Sequence, residues 1–108
     1  PNHLHHLKHM TKSPNRWMRR AAAVSLIVPA RKGLFLQDIL EIADLLLTDK
    51  DDMVQKGYGW LLKVASQKNQ QVILNFVVAR RATMPRTALR YAIEKMPNEL
   101  KIIAMERV

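Results

Sequence analysis

Two stretches of this 108-residue chain repeat one another at a distance of thirty-six positions. Residues 15–24 read Asn-Arg-Trp-Met-Arg-Arg-Ala-Ala-Ala-Val, and residues 53–60 read Met-Val-Gln-Lys-Gly-Tyr-Gly-Trp. Laid together, Trp17 falls on Met53, Met18 on Val54, Arg20 on Lys56, Ala21 on Gly57, Ala23 on Gly59 and Val24 on Trp60. Both copies order apolar, basic, small and bulky residues in the same way. Stacked helix pairs leave such a period, because one pair cannot bury its own apolar face and must lean on the next. A third, imperfect copy over residues 84–93 sets Arg86 near the Gln55 position and Tyr91 at the Trp60 position.

Apolar spacing fills in the rest, and no stretch alternates strictly enough to argue for a strand. The first helix is expected from about His3 to Met10. The second opens at Ser13 and Pro14 and lasts to about Val28, after which Pro29 and Gly33 break the chain. Leu36, Ile39, Leu40, Ala43, Leu46 and Leu47 follow helical periodicity, with Asp38, Glu41 and Asp44 opposite them. Asp49 and Asp51 offer caps for a fourth helix that ends near Gln67 and buries Val54, Leu61, Leu62 and Ala65. Val72, Ile73, Phe76 and Val77 mark a fifth, Thr83 and Pro85 open a sixth, and Pro97 opens a terminal helix using Leu100, Ile103 and Ala104. The expected fold is all-α, a HEAT-like helical-repeat superhelix of about three helix pairs plus a terminal helix, in one domain over residues 1–108.

The absence of cysteine excludes disulfides, thiolate metal sites and cysteine nucleophiles. The apolar runs are too short to cross a bilayer, so a soluble, cytoplasmic chain without membrane partners is expected. Eighteen Lys and Arg against nine Asp and Glu leave a formal charge of +9, which favours a polyanion such as nucleic acid. Six of the nine acids lie between residues 34 and 52, where Lys50 is the one base. This segregation along the sequence predicts an acidic side and a basic side after folding.

Lys56, Trp60 and Lys63 share one stripe of the fourth helix, with Gly57 and Gly59 beside it. Glycine costs about 1 kcal/mol against alanine in a helix interior, so close helix packing or the close approach of a ligand must compensate. Trp60 reads two ways: as core, continuing the stripe of Met53, Gly57 and Val64, or as a ring facing a sugar or base between two phosphate-binding lysines. Arg16, Arg19 and Arg20 crowd the start of the second helix, where the positive helix end also attracts phosphate. Stacking would align Arg20 with Lys56 and approximately with Arg86 or Arg90. His3, His5, His6 and His9 have no carboxylate or cysteine partner nearby, so no metal site is assigned, and no motif calls for a cofactor.

The runs beginning at Asn15, Met53 and Met84 resemble the DNA alkylation repair enzymes of the AlkD-like, HEAT-repeat type, from about residue 13 onward. The resemblance implies a bacterial-type DNA glycosylase that removes N3- and N7-alkylated purines from double-stranded DNA, gripping the duplex on a concave face. It implies that Arg20 contacts the backbone near the lesion, with Lys56 and Lys63 as supporting phosphate contacts, to which the basic start of the second helix adds Arg19 and Arg16 as DNA-binding candidates. Trp60 takes the catalytic place, its π-face stabilising a cationic deoxyribose. Nothing in residues 1–12 matches the family segment that carries the catalytic aspartate. The chain therefore resembles the C-terminal half of such an enzyme, inactive or nearly so by itself, with a severed end through which copies could self-associate. The alternative is a non-catalytic basic module that binds nucleic acid or a protein partner.

Overall fold

The computed structural model describes residues 2–106, with side chains from Leu4 onward, and among these every regular element is helical. The helices are α1 (Asn2–Met10), α2 (Arg16–Val24), α3 (Ile27–Arg31), α4 (Leu36–Leu46), α5 (Asp52–Ser66), α6 (Gln70–Arg80), α7 (Arg86–Ile93) and α8 (Asn98–Met105). They form a slab of 38 × 29 × 18 Å, about two helices thick. Pairing follows the expected plan: α1 lies on α2, α4 on α5 and α6 on α7, and α8 closes the far end against α6 and α7.

The second members of the pairs make one layer, in which α5 sits between α2 and α7. Equivalent small residues form both seams. Gly57 of α5 lies against Arg20 and Val24 of α2, and its third-copy counterpart, Ala88 of α7, lies against Gly59 of α5. Two residues apart on a helix, Gly57 and Gly59 face nearly opposite ways, and each admits a neighbouring helix. Helix packing is therefore what compensates for both glycines, as one of the two sequence expectations held.

The core threads the layers through Ile39, Ile42, Val54, Leu61, Leu62, Ile73, Val77 and Leu89, with Leu4 and Leu7 of α1 buried at one end. Tyr58 is fully buried and donates its hydroxyl to the Leu47 carbonyl at 2.6 Å, tying α5 to the end of α4. Burial pushes its ionisation well above the usual tyrosine range.

Local signals hold in most places. Asp51 caps α5, accepting from Met53 N at 2.9 Å and Val54 N at 3.2 Å. At the start of α2 the cap is Asn15, which accepts from Trp17 N at 2.8 Å, and Ser13 supports it by accepting from Asn15 N. The helix expected to last to Val28 instead breaks after Val24 and resumes as α3, which contains Pro29. A proline ring collides with the carbonyl four residues earlier, here Ser25, so the break falls upstream of Pro29 rather than at it. Ile103 and Val72 were expected inward and are exposed, and Ala104 is the fully buried residue of α8. The turn into α4 uses two left-handed residues, Gly33 (φ +77°) and Phe35 (φ +59°).

Candidate nucleic-acid interface

The layer of α2, α5 and α7 brings together most of the residues singled out in the sequence. Arg20 reaches across the first seam and donates to the Met53 carbonyl at 2.7 Å, its stem lying over Gly57. Lys56, on the next turn of α5, pairs with Asp52 at 2.8 Å, which raises its pKa above the ordinary lysine value; Tyr91 and Arg20 also act on its charge. Tyr91 of α7 therefore shares this neighbourhood, its Cβ against Gly59 and Lys63 over its ring at 5.6 Å. Trp60 is half-buried, packed against the core yet reachable from solvent, so it is not wholly core.

Lys56, Trp60 and Lys63 thus follow one another along α5, with Arg20 across the α2 seam and Tyr91 across the α7 seam. Tyr91 is the residue that sequence reasoning left out of the site. The signal was present, since Tyr91 occupies the Trp60 position of the third copy. Arg86 does not join the row: it turns toward α8 and donates to the Met105 carbonyl at 3.3 Å. Arg16 lies at the edge of the surface, 4.8 Å from the centre of the exposed Trp17 ring.

Charge is not segregated in space as the sequence suggested. Each of the six acids between residues 34 and 52 holds a cation from elsewhere. Asp38 and Glu41 share Lys8, Asp44 takes Arg80, Asp49 takes Arg19, Asp51 takes Arg16 and Asp52 takes Lys56. Lys63 is held by Glu94 at 2.7 Å. Four of the five expected phosphate contacts, Arg16, Arg19, Lys56 and Lys63, are thus already paired with a carboxylate, and Arg20 with a backbone carbonyl. The net positive charge resides in other groups, among them Arg31, Lys32 and Lys68 near the α3–α4 turn and Arg90, Lys95 and Lys101 around α7 and α8.

Among the described residues, no three His, Cys, Asp or Glu side chains are placed to hold a metal ion. His5 and His9 are exposed on α1 beside Lys8 and Lys12; the His3 side chain lies outside the described ones. No described helix is long and apolar enough to cross a membrane.

Comparison with protein families matches residues 1–96 to the DNA alkylation repair enzyme model. The chain belongs to that family. The match includes residues 1–12, which the motif resemblance did not reach. Comparisons with curated proteins and with solved structures returned no match. Membership ties the chain to alkylation repair, with DNA as the substrate that the family implies.

Proposed function

We propose that the surface formed by α2, α5 and α7 is the DNA-contacting face of a HEAT-like alkylpurine DNA glycosylase, acting on N3- and N7-alkylated purines. The observation that carries this reading is the half-exposed Trp60, set among Lys56, Lys63, Arg20 and Tyr91 in a family of DNA alkylation repair enzymes. Cleaving the glycosidic bond of an alkylated purine leaves positive charge on the sugar. An indole face can stabilise that charge without supplying a proton, and Arg20 and Lys56 would hold the flanking phosphates. Phosphate exchanges for Asp52 at Lys56 and for Glu94 at Lys63. Both carboxylates are more than half exposed, so they can swing away at small cost.

None of these groups is a free carboxylate able to orient water, so the reading assigns this surface binding and charge stabilisation, not water activation. The alternative, a nucleic-acid-binding module without chemistry, is favoured by the same pairing of the nearby carboxylates. Titration of the chain into labelled duplex containing 7-methylguanine tests the proposal, with base release followed in the same samples. Trp60→Ala should weaken binding about tenfold, within the roughly 1–3 kcal/mol attributed to one stacked ring. Equal affinity of variant and wild type would overturn the reading, and robust base release would overturn the assignment of binding and charge stabilisation alone. Affinity that is insensitive to salt would instead favour a protein-binding solenoid.

A further inference from the structure

Beside the second seam, α5, α7 and α8 enclose an open pocket of about 590 Å³. Lys63, Arg90 and Lys101 bring positive charge to it, the Tyr91 ring forms a wall, and Ile93 and Met105 give an apolar base. Among the described residues Arg90 and Lys101 form no ion pair, in contrast to the cations on the α2 side. One carboxylate stands at the centre of this charge. Glu94 bonds Lys63 at 2.7 Å, and Lys95 and Lys101 also act on it, so its pKa lies below the ordinary glutamate value, Lys63 being the main cause. A carboxylate at the focus of several cations occupies the place that a phosphate would take. More than half of the Glu94 side chain is exposed, so the occupant is tethered but not enclosed.

We propose that this pocket binds a backbone phosphate of a DNA strand, with Arg90 and Lys101 as its donors, the Tyr91 ring against the adjoining sugar, and Glu94 as an internal competitor displaced on binding. The assignment rests on the α2–α5–α7 surface being the DNA face. It adds to that reading a second, separate anchor point, on the α7–α8 side of Trp60. Arg90 and Lys101 form no ion pair of their own, and the carboxylate beside them, Glu94, is bonded to Lys63 and more than half exposed, whereas Arg16 and Arg19 are each paired directly with the less exposed Asp51 and Asp49.

The test measures duplex affinity by fluorescence anisotropy over a salt series for wild type, Glu94→Gln and the double variant Arg90→Ala/Lys101→Ala. Circular dichroism establishes folding of each, and deoxynucleoside monophosphate serves as a competing probe. Removing the donors should weaken binding about tenfold and make the slope of log affinity against log salt shallower by about 0.9, the share of one phosphate. Glu94→Gln should tighten binding about threefold, on the scale of one exposed ion pair. Unchanged affinity and slope in the double variant, while wild type binds and Trp60→Ala binds less, would overturn this pocket alone. Monophosphate binding in the pocket without any effect of the double variant on duplex would reassign it to free nucleotide and overturn the strand. Wild-type chain that does not bind duplex would overturn both this inference and the DNA face it rests on.

Discussion

The two seams flanking α5 are built from similar small residues and end up with different chemistry. At the α2 seam, Gly57 meets the stem of Arg20, a flexible side chain, and the cations around it are neutralised by Asp49, Asp51 and Asp52. At the α7 seam, Gly59 meets the Tyr91 Cβ and the Ala88 backbone, and the cations beyond it, Arg90 and Lys101, face an open pocket. One side of α5 is thus adjustable and electrostatically satisfied, and the other is rigid and electrostatically open. A charge of +9 says that a polyanion is wanted, but only the folded pairing says where the charge is available.

The largest effect should come from Gly59→Ala. The added Cβ would lie 2.7 Å from Tyr91 Cβ and 2.9 Å from the Ala88 carbonyl oxygen, so the helices must part. Overpacking of this kind, less the gain in helix propensity, should cost about 2 kcal/mol in urea denaturation. Gly57→Ala breaks the symmetry: its Cβ meets Arg20 Cγ at 3.1 Å, which can yield, so stability should stay level or rise by up to about 1 kcal/mol. Equal destabilisation by the two substitutions would erase the distinction between the seams.

Arg20→Ala comes next. It removes packing over Gly57 and the bond to the Met53 carbonyl, so it should cost about 1 kcal/mol of stability as well as severalfold in duplex affinity per folded molecule. A loss of stability with unchanged affinity would make Arg20 a purely structural strut of the first seam. The smallest effect is acid sensitivity. Arg80 holds the Asp44 carboxyl below its ordinary range, as Lys63 does for Glu94. Both contributions are complete above the unfolded carboxylate values near pH 4 and fade as pH falls through the lower folded values. Asp44→Asn should therefore lower stability at pH 7 by no more than about 1 kcal/mol, as for an exposed ion pair, and flatten its decline below pH 4 so that variant and wild type converge in acid, measured by thermal melts across pH.

The repeat, the all-helical class and the identity of the pairs were legible because apolar period and caps are local signals. The role of Gly57 and Gly59 was not, since a glycine shows that something approaches closely without showing what. The ion pairs escaped for a reason particular to repeats. Arg19 with Asp49, Lys63 with Glu94 and Asp44 with Arg80 are separated by 30, 31 and 36 residues, about one repeat each. Stacking lays each repeat on the next, so an acidic block in sequence neutralises the basic block one period away. The same logic brings Tyr91 beside Lys56 and Lys63, where a reading along single helices could not place it.

The claim that the α2–α5–α7 surface meets DNA is tested most directly at Trp60 itself. The chain has two tryptophans, and Trp17 is exposed at the start of α2, so Trp17→Phe leaves Trp60 as the sole indole reporter at little cost to the fold. Titrating this variant with duplex while recording indole emission should give a saturable change whose midpoint matches the anisotropy titration and moves to weaker affinity as salt is raised. Binding seen by anisotropy with Trp60 emission unchanged would place the DNA elsewhere on the molecule and contradict the account.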